Sequence, residues 1–258
     1  MVKLEIHSFM RIALGIEYDG TNYYGWQRQQ NVCSIQEEIE KALSQVASQS
    51  VVATCAGRTD AGVHAFGQVI HFDTDANRPD GAWILGVNSN LPADIRILWA
   101  RHVAPDFHAR YSATARQYRY IIYNNKVASA LLRHRAMWCR YVLDEKLMHE
   151  AGQILIGEHD FSSFRGSGCQ AKTVQRRVIS LAVTRSSGMI NIDIKANAFL
   201  LHMVRNIVGV LLKIGTGERP VTWTEEVLMA CDRTVAATTV PACGLYLAKV
   251  DYAEPFSF

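Results

Sequence analysis

Val51-Val-Ala-Thr-Cys-Ala-Gly-Arg-Thr-Asp-Ala-Gly-Val-His-Ala-Phe-Gly-Gln-Val-Ile-His-Phe72 consists of two strand-like runs separated by small and charged residues. The run 51–54 is β-branched and reads as a strand, and 63–72 reads as a second. Between them Gly57 and Gly62 supply backbone freedom, and Thr59-Asp60-Ala61-Gly62 has the chemistry of a tight turn. Arg58 and Asp60 are therefore expected at the mouth of two buried strands, where loops on a rigid scaffold usually carry function. Taken locally, Asp60 is slightly better explained as a turn residue. Its company elsewhere in the chain shifts the balance.

On the N-terminal side, 11–19 reads as a strand and 21–28 as an aromatic-rich loop. Ser34 caps a helix, with Glu37 completing a capping box and Ile35, Ile39, Ala42, Leu43 and Val46 forming its apolar face. On the C-terminal side a helix over 80–91 and a strand over 95–103 follow, giving the order β-α-β-β-α-β. The second half reads as a strand over 114–123, a helix over 144–156 and a hairpin of 178–183 with 189–194. An apolar helix over 199–214, a short one over 224–232 and a strand over 245–250 complete it. That is the same order with one helix added, a repeat of elements and not of residue identity. The expected fold is α+β, with two ferredoxin-like halves sharing a mostly antiparallel sheet and a central cleft. An N-terminal half, 1–104, would carry the aspartate, and a C-terminal half, 105–258, the basic stretches.

The chain has 258 residues, 49% of them hydrophobic and 20% charged, enough for a well-buried core and unlike a disordered chain. No apolar run approaches a membrane span, and no basic region followed by a long apolar stretch suggests a signal peptide. Six cysteines form no Cys-x-x-Cys pair, so reduced thiols and a cytoplasmic location are expected. The formal net charge of +3 hides a segregation. Between 107 and 143 no acid opposes Arg110, Arg116, Arg119, Lys126, Arg133, Arg135 and Arg140. Between 161 and 192 none opposes Arg165, Lys172, Arg176, Arg177 and Arg185. Two such stretches favour a polyanionic partner over a merely solvated basic face.

Along 199–214, His202, Arg205, Asn206, Gly209 and Lys213 form a polar stripe on a greasy helix. A buried Arg205 would need a carboxylate, and Asp60 is the candidate; snorkelling to solvent explains Arg205 equally well. Such a pair would keep Asp60 ionised, able to serve as nucleophile or base. Phe107-His-Ala-Arg-Tyr-Ser-Ala-Thr-Ala-Arg-Gln-Tyr-Arg-Tyr120 interleaves arginines with aromatics, a composition suited to phosphates and unpaired bases of RNA. Tyr118 and Tyr120 share one face of the predicted strand and Arg119 takes the other. The histidines show no metal-ligand spacing and no phosphate-cradling loop is present, so neither metal nor cofactor is expected.

Gly57-Arg-Thr-Asp-Ala-Gly-Val-His64 resembles the catalytic motif of the tRNA pseudouridine synthases of the A type. Phe107-His-Ala-Arg-Tyr111, the run 116–120, 197–209 with its Met-Val-Arg centre, and Gly244-Leu-Tyr-Leu247 are similar to that family in the same order. The likeness runs from 11 to 252. It implies an isomerase that converts uridine to pseudouridine in the anticodon stem-loop of tRNA, just 3′ of the anticodon (the 38–40 type). It also implies a cofactor-free homodimer with one tRNA touching both subunits. By the same resemblance Asp60 is the catalytic aspartate, Tyr118 the tyrosine that packs on the target base, and Arg205 the partner of the aspartate. Arg58 would take the place of the flipped base. Arg78, Phe107, His108, Ala109, Arg110, Tyr111, Lys126, Gly168, Cys169, Gln170, Ala171 and Lys172 would meet tRNA.

Two rival readings are a glycosidase-like enzyme that stops at base release and a non-catalytic tRNA-binding module. The first generally needs a second carboxylate to activate water, and no motif pairs one with Asp60. The second has no use for an aspartate facing an arginine.

Overall fold

A computed structural model of the chain describes residues 9–256 and 258. It is a mixed α+β protein with a large, mostly antiparallel sheet and few helices. By internal contacts the chain forms two units, Met1–Thr114 with Lys249–Phe258, and Ala115–Ala248. The sequence reading put a boundary after 104 and the whole C-terminal segment in the second half; the contacts group the last residues with the first unit.

In the first unit β1 (Met10–Tyr18) leads to α1 (Ile35–Ala47), β2 (Thr54–Cys55) and β3 (His64–Thr74). A π turn, Ala82–Gly86, running into α2 (Val87–Asn90) then precedes β4 (Ile95–Val103). The strand order is β4-β1-β3, with β2 on β3, and every one of these pairs is antiparallel. β3 is buried along nearly its whole length. The Ser34 hydroxyl accepts the Glu37 N–H at 3.4 Å, so the expected cap of α1 is made, and Ile35, Ile39, Ala42 and Leu43 are buried beneath it.

The run 51–54 is not the strand predicted. The Val51 N–H donates to Ser44 Oγ (3.0 Å) and the Ala53 N–H to Glu40 Oε1 (3.0 Å), so side chains of α1 take donors that a ladder would have used. Pairing begins only at Thr54, whose partner is His71.

The second unit holds most of β5 (Ala113–Asn124), then β6 (Met137–Cys139), α3 (Glu145–Gln153), β7 (Gly157–Asp160), β8 (Gln175–Ser186) and β9 (Met189–Ala196). It continues through α4 (Met203–Gly215) and α5 (Trp223–Ala230) to the start of β10 (Leu245–Tyr252). The order is β10-β5-β9-β8-β7, with β6 parallel to β5. Ile190, Ile192, Ile194 and Ala196 alternate inward along β9, the period of a half-buried strand. The expected β8–β9 hairpin forms, with Ser186 opposite Met189. Ser187 (φ 50°) and Gly188 (φ 77°) supply the two left-handed residues that such a two-residue turn requires.

Two short strands, β6 and β7, had no expectation behind them; three or four residues leave no period to read. The helix predicted over 199–214 starts four residues late. His202 is left-handed (φ 59°), and the Met203 N–H closes a turn onto Leu200 O at 3.1 Å.

Candidate active site

The Asp60 loop is held from several sides within the first unit. The Gln68 side chain, fully buried, donates to Gly57 O at 2.7 Å. Thr59 O accepts the Trp26 N–H at 2.9 Å, and the Thr59 hydroxyl meets the buried Tyr18 hydroxyl at 2.8 Å. Gly62 donates to Tyr23 O (3.3 Å), and the Val63 N–H closes the turn onto Asp60 O (3.1 Å). Gly25 lies against the same segment at φ +87°, and a Cβ there would fall 2.7 Å from Thr59 O. Only glycine fits that position. Thr59 is turned inward, Asp60 is half-buried and Arg58 is exposed.

Behind the loop, the buried His64 Nδ1 accepts the Gly20 N–H at 3.0 Å. That atom also lies 3.1 Å from Asp19 Oδ1. A nitrogen lone pair already taken by an N–H carries no proton for a carboxylate, so this contact is not read as an ion pair.

The 107–111 segment divides into buried and exposed members. Phe107 is fully buried, its ring 5.0–6.0 Å from those of His71, Tyr252, Phe256 and Phe258. Ala109 is also fully buried, donating its N–H to His71 Nδ1 (3.1 Å) and accepting the Tyr252 hydroxyl (2.7 Å). Expected at RNA, these two side chains instead anchor the segment. His108 Nδ1 accepts the N–H groups of Arg110 (3.1 Å) and Tyr111 (3.2 Å), which turns both side chains outward. Tyr111 is 76% exposed, with the Arg110 guanidinium 5.8 Å from its ring.

Burial pushes the Cys55 thiol up to about 12, while Arg58 and Arg110 both oppose the rise. Two arginines far apart in sequence thus both lie near the β2–loop junction. Arg78 is exposed and donates to Val46 O at 3.2 Å, in the last turn of α1.

In the second unit the segment 199–205 gathers three groups singled out from sequence. Tyr118, half-exposed on β5, meets the Phe199 ring edge-on at 5.0 Å. The Leu201 N–H donates to Cys169 Sγ (3.5 Å), which ties down the 168–172 loop. Arg205 lies in the first turn of α4 and donates from Nε to Val240 O at 2.8 Å. It is partly exposed, between the buried and the snorkelling arginine that the sequence allowed equally.

Burial works against a Cys169 thiolate, but the Leu201 and Ala171 N–H groups and Arg165 outweigh it and bring the thiol below its ordinary value. Gly168, Gln170 and Lys172 are exposed around it and Ala171 is partly so. Tyr120, on the same strand as Tyr118, is a core residue whose hydroxyl donates to Pro241 O at 2.7 Å. Phe199 carried no sequence signal of its own; only the turn before α4 brings it to Tyr118. Lys126 is exposed after β5.

The basic stretches are less unopposed than their sequence suggests. Arg119 pairs with Asp193 across β5–β9 (2.9 Å), and Arg185 with Glu145 at the start of α3 (2.8 Å). Among the described residues no three His, Cys, Asp or Glu side chains gather in a metal-holding group, and no helix is long and apolar enough to cross a membrane.

The sequence profile of the tRNA pseudouridine synthase family matches residues 15–112 and 151–253. A tRNA pseudouridine synthase A of Aeromonas hydrophila is 60% identical over 94% of this chain and 90% of that one. Proteins of the same name from Klebsiella pneumoniae (56%; 98% and 93% covered) and Coxiella burnetii (57%; 95% and 94% covered) are similarly close. The chain belongs to the tRNA pseudouridine synthase A family. Members of that family are isomerases that convert uridine to pseudouridine in tRNA. The profile spans Arg58, Asp60, Arg78 and 107–111 in its first stretch and 168–172 and Arg205 in its second. Tyr118 and Lys126 of the synthase fall in the interval between them.

Proposed function

We propose that this synthase isomerises uridine to pseudouridine in the anticodon stem-loop of tRNA, at positions just 3′ of the anticodon, through Asp60 and without a cofactor. The observation that carries the reading is the clamped Asp60 loop. Five hydrogen bonds fix residues 57–63, while Asp60 as a residue is half-buried and not sealed in the core. A carboxylate held this way is pre-organised for attack or proton abstraction, so little reorganisation is needed as charge moves.

The target base must leave its stack, at a cost of a few kcal/mol that is smallest near a loop. The exposed Arg58, one residue from the buried Thr59, is suited to fill the space the base vacates. Asp60 assists cleavage of the C1′–N1 bond, the uracil turns against Tyr118 and rejoins through C5, and C5 then loses a proton. Nothing is added or removed overall, so no cofactor is needed. Arg205 serves Asp60 as its cationic partner, the role the resemblance gives it.

The same reading includes a cytoplasmic homodimer that binds one tRNA across both subunits, with Arg78, His108, Arg110, Tyr111, Lys126 and the 168–172 loop on the RNA. It also includes ferredoxin-like halves, supported by the order β4-β1-β3 with β2 on β3 in one unit and β10-β5-β9-β8 in the other.

The test is tritium release from C5 of labelled uridine in tRNA. Wild type releases it, and Asp60→Asn loses roughly 10²–10⁴-fold or more of the rate while keeping its tRNA affinity. Tight binding without release by wild type would leave a binding module, and free uracil as product would make the protein a glycosidase.

A further inference from the structure

The second unit holds an open cleft of about 420 Å³ between the end of β5, the segment before α3, and β8. Its wall includes Asn124, Lys126, Arg140, Tyr141, Glu145 and Arg185. The back of the cleft is fixed. Arg185 donates to Glu145 Oε2 (2.8 Å), Asn124 Oδ1 (3.1 Å) and Leu143 O (2.6 Å), which neutralises the single carboxylate. Asn124 in turn donates to Cys139 O (3.0 Å) and Tyr141 O (2.6 Å), which sets the backbone that presents Arg140 and Tyr141.

The front is different in character. Tyr141 is 59% exposed, and the Arg140 guanidinium sits 5.0 Å from its ring with Nη2 on its hydroxyl (3.0 Å). Lys126 is exposed on the same wall. With Glu145 taken by Arg185, the open side of the cleft is cationic and carries an aromatic face. Phosphate suits Arg140 and Lys126, and an unstacked base suits Tyr141. The volume falls in the range of a nucleotide-sized site.

We propose that this cleft is an RNA-contact site that takes one unstacked nucleotide of the bound tRNA, its base on Tyr141 and its phosphate on Arg140, with Lys126 beside it. This rests on the reading of the protein as an enzyme acting on tRNA. It adds Arg140 and Tyr141 to the residues that bind the substrate. They act on affinity and not on the chemical step, since neither belongs to the Asp60 loop.

Both side chains are exposed, so Arg140→Gln, Tyr141→Leu and Tyr141→Phe can be made without opening the core. The expected result is a tRNA Kd about tenfold weaker for Tyr141→Leu, with kcat at saturating tRNA unchanged. Tyr141→Phe keeps the ring and binds as wild type. Arg140→Gln weakens binding and makes the dependence of log Kd on log salt shallower by about 0.7–0.9, one phosphate contact. Wild-type Kd and salt slope in both Tyr141→Leu and Arg140→Gln, in a protein that still makes pseudouridine, would overturn the site and leave the function standing. Wild type that makes no pseudouridine would instead overturn the function. Uridine monophosphate serves as a free-nucleotide probe. If it binds wild type but not Arg140→Gln, and does so without competing with tRNA, the cleft belongs to a free nucleotide and the RNA assignment fails.

Discussion

Gly25 shows how a position distant along the chain can shape the Asp60 loop. It holds φ +87° with its missing Cβ 2.7 Å from Thr59 O, beside the Trp26 N–H that binds the same carbonyl. Gly25→Ala adds left-handed strain of about 1–2 kcal/mol and a clash with backbone that cannot rotate away. It should lower stability by about 2 kcal/mol in urea unfolding and reduce kcat more than tRNA affinity. His71 makes a second residue-scale case. Burial first, then the charges of Arg11 and His108, push its pKa down to about 4, against a smaller opposing effect of Asp73. An unfolded histidine titrates near 6.5, so between the two values the unfolded chain binds the extra proton and the native state loses stability as pH falls. Full stability is kept above about pH 6.5. Thermal melting of wild type minus that of His71→Gln should therefore drop between pH 6.5 and 4. A constant difference would mean the ring is not held neutral.

At the scale of elements, α4 and the turn before it organise the second unit. Asn206, fully buried, donates to Phe164 O (2.8 Å) and accepts from Arg233 Nη2 (3.1 Å) and Thr239 Oγ1 (2.6 Å). Asn206→Leu keeps the shape and removes all three bonds, leaving Arg233 and Thr239 their bond to each other (3.1 Å), at a cost of roughly 2–3 kcal/mol measured by denaturant unfolding. Gly209, three residues on, lets Thr238 O approach to where a Cβ would be 2.5 Å away. The polar stripe seen in the sequence was therefore real, but most of it is structural. Asn206 and Gly209 pack the 233–239 segment, and Lys213 pairs with Glu218. Arg205 and Lys213 are the stripe's helical members that stay partly exposed. Helical periodicity identifies a face and does not say whether that face meets ligand or protein.

For the whole molecule, the pairing of Arg119 and Arg185 sorts the cations by availability. tRNA affinity should fall steeply with salt, as several phosphates are neutralised. Lys172→Gln, in the exposed loop beside Cys169, should make the log–log slope shallower by about 0.7–0.9. Arg119→Gln should leave it unchanged, because Asp193 already holds that guanidinium. Equal effects from the two variants would mean that the ion pair opens on binding. The distinction depends on long-range pairing: Asp193 and Glu145 lie 74 and 40 residues from their arginines.

The sequence by itself determined the order of the longer elements, the Ser34 cap, the β8–β9 hairpin and the family, because each is written in short windows: a period, a capping serine, an octapeptide. Ile95–Val103 was legible to the residue, since alternation and flanking turn chemistry agree there. The rest was decided only in the tertiary structure. Val51 and Ala53 have strand propensity, yet their N–H groups go to Ser44 and Glu40 because α1 lies alongside. Phe107 and Ala109 read like their exposed neighbours until β3 and the C-terminal aromatics bury them. The cleft of Arg140 and Tyr141 needed β5, α3 and β8 in place before it existed. Burial and pairing belong to residues distant along the chain, and no local window contains them.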